Sequence, residues 1–590
     1  MRLWDLTPIY ISLDSDMFID DMTLLKKTAT EFITFVYDMV ADYEDEKEKL
    51  EKILLFKQHI SFLGRNMLGY CRMVMSTDTQ NSEAAKCYEM VRGILNETVG
   101  ADSMAARWIA NSKFEQCGKT SALIQEHLFV FNECKKNQKY QLSDREEIIV
   151  ARMSQNGSDA WLRLKNQLIG SHTVEITLSG KKKELSLTQV LNMAYSNDRE
   201  IRKKGYEAEI ASYKKLENGI AACLNGIKGE VLCISEIRGY RSPLEMSLNN
   251  ARMDGETLNV MLQAIKEYLP AFRKYLRAKA KRLGYSEGLP FYELYAPISD
   301  NAKRYSYEEA CNIIKEQCFK FDRKFGNLVE RAIEESWIDV DSYPGKVGGA
   351  FCSYIPSLKQ SRILLNYTES FQTVVTMAHE LGHAFHNDCL KDESFLNQNT
   401  PPQLAECAST FCEIIVKYAM MESMSDDEVV SILETEICDC TQIIVDIYSR
   451  FLFETDLFEN RKKGPISSSE LCSMMKNAQM ESYGEGLHPE YLHPYMWTWK
   501  PHYYYADNNF YNFPYAFGLL LAKGLYALYK KEGHDFIAKY KKMLASTGKT
   551  SVYECCAEVG INIHDIRFWR ETLESITIDI DRLVALLEQQ

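Results

Sequence analysis

Apolar residues recur every three to four positions along most of this chain, so helices are the predicted majority element. The stretch "ADYEDEKEKLEKILLFKQHISFLGRNMLGY" alternates apolar and charged positions at helical spacing, and "NSEAAKCYEMVRGILNETV" repeats the pattern after a polar break. Residues 44–49 are all charged and read as a solvated helix face. The period falls to two in "HTVEITLSGKKKELSLT", where a Ser179–Gly180 turn predicts a β-hairpin near 173–187. Helical spacing then resumes at length. A soft boundary is placed between an N-terminal helical domain, 1–200, and a second domain, 201–590.

A second non-helical island spans 345–367. "GAFCSY" and "RILLNY" read as strands separated by a Pro/Ser/Lys turn region. Directly after it, "TESFQTVVTMAHELGHAFHND" predicts a helix capped by Thr368 or Ser370. "NQNTPPQLAECASTFCEIIVKYAMM" predicts another, with Thr400 and Gln403 in a capping-box pattern and Pro401 in the first turn. The predicted fold is therefore mainly α, with many helices and a small β-sheet.

Composition adds exclusions. A chain of 590 residues, 46% apolar, has ample material for packed interiors and no run of about 20 apolar residues to span a membrane. The opening "MRLWDLTPIYISLDSD" has no apolar signal core. A formal net charge of −14 disfavours nucleic acid and anionic membrane as partners. Seventeen scattered cysteines, with no Cys-x-x-Cys pair, read as free thiols in a reducing compartment, which predicts a cytoplasmic location.

The chemistry concentrates in "MAHELGHAFHND". On a helix, His379 and His383 lie one turn apart and about 40° apart in projection, so both face one side. Such a pair offers two neutral nitrogens to a metal, and a catalytic zinc takes a third protein ligand while keeping one position open. The bland alternative is a helix that happens to carry histidines. Glu406 and Glu413 share a face of the next helix, but seven residues rise about 10.5 Å, too far for one ion to bind both. Glu406 is the economical ligand and Glu413 an outer acceptor that orients a ligand histidine. The same rise argues against His386 as a third ligand and favours a supporting or core histidine. Glu380 faces the open side of the metal, where a general base for the bound water belongs.

"HELGHAFH" followed by "LAECASTFCE" resembles the active site of the M3 family of zinc metallopeptidases, most closely the oligoendopeptidase F group. "PGKVGGAFCSY…SRILLNYTESFQTVVTMAHE", "WKPHYYYADNNFYNFPYAFG" and "YKKMLASTGKTSVYECCAEVGINI" resemble the family's lead into the site, its downstream His/Tyr segment and its tail. The resemblance covers roughly 200–590 and is weaker before that. It implies one zinc ion per chain on His379, His383 and Glu406, with Glu380 as the catalytic carboxylate. It also implies a zincin-like helical body with a deep channel that admits short peptides.

An oxyanion formed during hydrolysis needs a donor besides zinc. His502 occupies the position of the family's active-site histidine, and Tyr505 and Tyr511 are the leading hydroxyls. Phe513, where family members often carry tyrosine, and the altered spacing at "ADNN" leave the choice between them open. Tyr515 is assigned to substrate. Gly349, Ala350 and Phe351 begin a strand whose free edge would pair with an extended peptide, Gly348 and Gly349 permitting close approach. An interior strand is the alternative. The leading function is a zinc endopeptidase of short unstructured peptides. Its competitors are an exopeptidase on the same scaffold and a non-catalytic peptide-binding protein.

Overall fold

The computed structural model describes residues 1–39, 45–298, 303–422 and 424–589. Its elements are helices, one two-stranded hairpin and one three-stranded sheet. Two compact units are assembled from interleaved segments: Met1–Gln141 with Lys303–Glu422 and Leu525–Ile561, and Leu142–Ala302 with Ser423–Gly524 and Asn562–Gln590. A boundary near 200 divides the chain by order, whereas these units divide it by contact.

In the first unit, the long helix Glu46–Thr77 is started by Asp45, whose carboxylate accepts from the backbone N–H groups of Lys47 and Glu48. Glu44, part of the charged run, lies outside the described residues. The rest of that run is not a uniformly solvated face, because Lys49 is carried inward beside Leu50 by the helical turn. The buried stripe Leu50, Ile53, Leu54, Leu63, Met67 and Tyr70 joins a core built with Phe18, Leu25, Phe32 and Ile355.

The hairpin belongs to the second unit. Strands β1 (Thr173–Leu178) and β2 (Lys181–Ser186) pair antiparallel around Ser179 and Gly180, both at positive φ, as a two-residue turn of matching twist requires. The same unit packs the helix Gly255–Arg282 along the C-terminal helix Ile566–Gln589.

The three-stranded sheet is in the first unit, in the order β3-β5-β4. Strand β4 (Phe351–Ile355) begins two residues later than the sequence pattern suggests, because Gly349 at φ +83° bends the chain before pairing starts. Strand β5 (Gln360–Leu364) pairs antiparallel with β4 and parallel with β3 (Ile338–Asp339), a two-residue strand too short to leave a sequence signal. Among the described residues, β4 is paired with β5 on one edge and with no strand on the other. All seventeen cysteines are free thiols. Among the described residues, no helix is long and apolar enough to cross a membrane.

Candidate metal centre

The motif helix runs from Phe371 to Leu390, and Ser370 caps it by accepting from the Thr373 N–H. Its apolar face, including Val374, Met377, Ala378, Leu381 and Phe385, is buried, with Phe385 stacked on Phe325 at 4.2 Å. The return helix runs from Pro402 to Met421. The Thr400–Gln403 capping box does not form. Pro401 is the cap residue, Pro402 takes the first helical position, where no N–H is needed, and the Thr400 hydroxyl is instead 2.9 Å from that of Thr547.

These two helices pack closely because of Gly382, inside the motif itself. A Cβ there would lie 2.6 Å from Ser409 Cα and 2.7 Å from the Ala408 carbonyl oxygen, both backbone atoms of the return helix. That approach sets Glu406 against the two histidines. The Nε2 atoms of His379 and His383 are 3.1 Å apart, and Glu406 Oε2 lies 3.4 Å from the first and 3.7 Å from the second.

Three observations fit a metal ion to these residues. First, one ligand atom from each of His379, His383 and Glu406 falls within 4.8 Å of the others. Tetrahedral ligands about 2.0–2.1 Å from zinc are roughly 3.4 Å apart, which the measured separations bracket. Second, His379 donates from Nδ1 to Glu413 Oε1 at 2.5 Å, which turns its Nε2 toward His383 and Glu406, where a metal would displace the Nε2 proton and take the lone pair. Two imidazole nitrogens directed at each other want a cation between them. Third, the electrostatics call for positive charge. Burial opposes a charge on His379, but the hydrogen bonds to Glu406 and Glu413 outweigh it and push its pKa up to about 10. Burial and that neighbouring charge push His383 down to about 4.

Glu380 is buried beside this cluster, and its Oε2 has no hydrogen-bond partner. Burial, opposed by His379 and reinforced by Glu406 and Glu413, pushes its pKa up to about 7. A buried carboxylate with a free oxygen and a near-neutral pKa is suited to exchanging a proton with a water molecule. Glu413 is half-buried. Its carboxyl is held below the usual range, against burial, chiefly by Lys417, whose Nζ is 3.0 Å from Glu413 Oε2, and by His379. Lys417, one turn after Glu413, is a supporting residue that sequence reasoning missed; the Glu-x-x-x-Lys spacing is its only signal.

His386 is outside the ligand cluster. It is buried with Nε2 2.9 Å from the Thr547 hydroxyl, so it ties the motif helix to the segment after the helix His534–Ser546. Gly349 and Ala350 lead into β4, where Asn366 Nδ2 donates to the Val347 and Gly349 carbonyls at 3.0 and 2.8 Å, and Phe351 opens the strand.

His502, Tyr505, Tyr511 and Tyr515 belong to the second unit and form one aromatic cluster. The His502 ring stacks on Tyr511 at 5.1 Å, with Tyr505 at 5.9 Å from both rings and Tyr515 at 5.8 Å from Tyr511. His502 Nδ1 is buried without a partner.

The chain matches the sequence model of Peptidase family M3 over residues 192–575 and that of Oligopeptidase F over residues 109–172. An oligoendopeptidase F homolog of Lactococcus lactis subsp. lactis is 27% identical over 402 residues, 67% of this chain and 65% of the relative. The match thus spans just under two thirds of that relative's length. Oligopeptidase PepF of Bacillus subtilis is 22% identical over 530 residues, 88% of this chain and 78% of the relative. Two solved structures share the fold. One is from Chlamydophila abortus (22% identity, 99% of this chain and 98% of that one, TM-score 0.84). The other is the oligoendopeptidase-F of Enterococcus faecium (17%, 97% and 99%, TM-score 0.72).

Proposed function

The chain belongs to peptidase family M3, and from that premise we propose that it is a zinc-dependent endopeptidase that cuts internal bonds of short, unstructured oligopeptides. The observation that carries this reading is the juxtaposition of three convergent ligand atoms with the buried, unpartnered oxygen of Glu380. Two imidazoles and one carboxylate suit zinc and leave a fourth position open, as a catalytic rather than a structural site requires. Bound there, zinc supplies Lewis acidity toward the scissile carbonyl and lowers the pKa of water.

The protein's own residues do the rest. Glu413, held ionised by Lys417, keeps His379 in the tautomer that presents Nε2. Glu380 takes a proton from the attacking water and delivers it to the leaving nitrogen. The open edge of β4, from Phe351, with Gly349 and Ala350 leading into it, pairs with the backbone of an extended substrate and so secures peptides with little regard to side chain. The donor role of His502, Tyr505 and Tyr511 toward the developing oxyanion, and that of Tyr515 toward substrate, rest on the resemblance of their segment to the family's His/Tyr segment.

The test is mass analysis of fragments from a mixed peptide library incubated with the full-length protein, with and without a chelator. Internal cleavage abolished by the chelator and restored by zinc is expected. Removal of terminal residues alone would replace the endopeptidase by an exopeptidase. Undiminished cleavage in the chelator would remove the metal from the reaction.

A further inference from the structure

A cavity of about 260 Å³ lies wholly within the second unit, between the 188–195 segment, the helix Arg199–Tyr213, the 291–295 segment and residues 493–500. Aromatic rings, with aliphatic side chains such as Val190, Leu191 and Met496, form its apolar walls. Tyr195 and Tyr295 face one another at 4.8 Å, Tyr206 and Tyr292 at 5.4 Å, and Trp499 completes the lining. Their hydroxyls are largely committed: Tyr206 donates to the Leu492 carbonyl at 2.6 Å and Tyr295 to Gln442 Oε1 at 2.8 Å. What they offer a ligand is ring face.

The charged lining groups are committed too, with one exception. Arg202 is bound to the fully buried Glu293 at 2.6 Å. Glu209 accepts from the Tyr213 hydroxyl at 2.8 Å and lies 2.9 Å from His493 Nε2. Lys500 has no hydrogen-bond acceptor and no ion-pair partner among the described residues; its Nζ rests 4.4 Å from the Trp499 ring centroid. Burial, and then the Arg450 charge, push its ammonium down to about 8, with Asp446 and Glu209 only partly offsetting them. A half-buried cation left without an anion in an aromatic pocket is a costly arrangement to maintain, and a bound anion relieves it.

We infer that this cavity binds the free C-terminal residue of a peptide, its carboxylate on the Lys500 ammonium and its aromatic or branched apolar side chain against the tyrosine faces. Pairing an unpartnered cation with apolar walls selects an anion that carries an apolar body. The volume, below the roughly 300–1,000 Å³ of a drug-sized site, fits one terminal residue rather than an extended segment. The choice of a peptide end over other apolar carboxylates rests on the peptidase reading above.

The test uses a ligand with no internal peptide bond, so that binding and hydrolysis are separate readouts. N-acetyl-phenylalanine and its C-terminal amide are titrated calorimetrically into the full-length protein. The acid is expected to bind about tenfold or more tighter than the amide, the scale of one hydrogen bond to a charged group. Lys500→Met should erase that difference and Lys500→Arg should keep it, with far-UV circular dichroism unchanged in both. Equal binding of acid and amide to the wild-type protein, or a preference retained by Lys500→Met, would overturn the inference. So would loss of acid binding in His383→Ala, which would place the carboxylate on the metal. Peptide cleavage is scored separately with the mixed library: its absence defeats the peptidase reading whatever the ligand does, and its presence leaves this inference to the titration.

Discussion

In the proposed reaction Glu380 carries the proton: its Oε2 is buried and unpartnered, and its carboxyl pKa is pushed up to about 7. Glu380→Gln keeps the volume but cannot accept a proton at neutral pH, so kcat should fall by about 10² or more while zinc content and KM change little. Steady-state kinetics beside metal analysis check this, and near-normal turnover would remove Glu380 from the reaction. Removing a proposed metal ligand acts differently: His383→Ala or Glu406→Ala should lose metal and activity together. Stoichiometric zinc of wild-type affinity in Glu406→Ala would show that the carboxylate is not a ligand. His386 gives a pH dependence of another kind. Burial first, then His383, push its pKa from 6.5 down to about 4. The unfolded chain therefore binds the proton more readily, and this contribution is present above pH 6.5 and lost as the pH falls toward 4, on the order of 3 kcal/mol in all. His386→Gln, which preserves a partner for Thr547, should lose less stability than the wild type between pH 6.5 and 4.5, measured by denaturant unfolding. Parallel curves would contradict the assignment. The shared face of His379 and His383 was legible from helical spacing alone. Lys417 and Thr547 were not, because a lysine on a helix and a threonine in a turn acquire their roles only from what the fold sets opposite them.

The helix pair carries the site because of a missing side chain. Gly382→Ala would drive a methyl into the backbone at Ser409 and Ala408, forcing the helices apart. It should cost about 1–3 kcal/mol by denaturant unfolding and weaken zinc binding as Glu406 is displaced. Unchanged stability and zinc affinity together would show that the close approach is dispensable. The β4 edge makes its own prediction. A peptide N-methylated at a position that pairs with β4 should show a raised KM with kcat little altered, and equal KM values for methylated and unmethylated peptides at every position would remove the strand from binding. The hairpin was readable because period-two alternation flanks a Ser-Gly turn. The start of β4 was misplaced because the bend at Gly349 has no counterpart in an apolar pattern, and β3 escaped because two residues have no period. The Thr400 cap was displaced by a second proline and by a tertiary partner, neither of which local propensity weighs.

At the scale of the molecule, the two compact units interleave three chain segments each, an arrangement that no composition shift along the chain announces. The helical majority was legible because apolar periodicity is strong over long segments. An extended substrate laid along a strand edge implies selection by disorder: a compact protein would have to unfold locally to present such a segment. Unstructured peptides copied from the surface loops of a small folded protein should be cut while the intact protein survives, and rapid cleavage of the same loops in the folded protein would contradict this. The central claim is that peptide hydrolysis depends on one metal ion held by His379, His383 and Glu406. Titration of zinc into chelator-treated full-length protein, following cleavage of a single oligopeptide, tests it most directly. Activity should start near zero, rise linearly and level off at one equivalent per chain; full activity before any zinc is added would contradict the account.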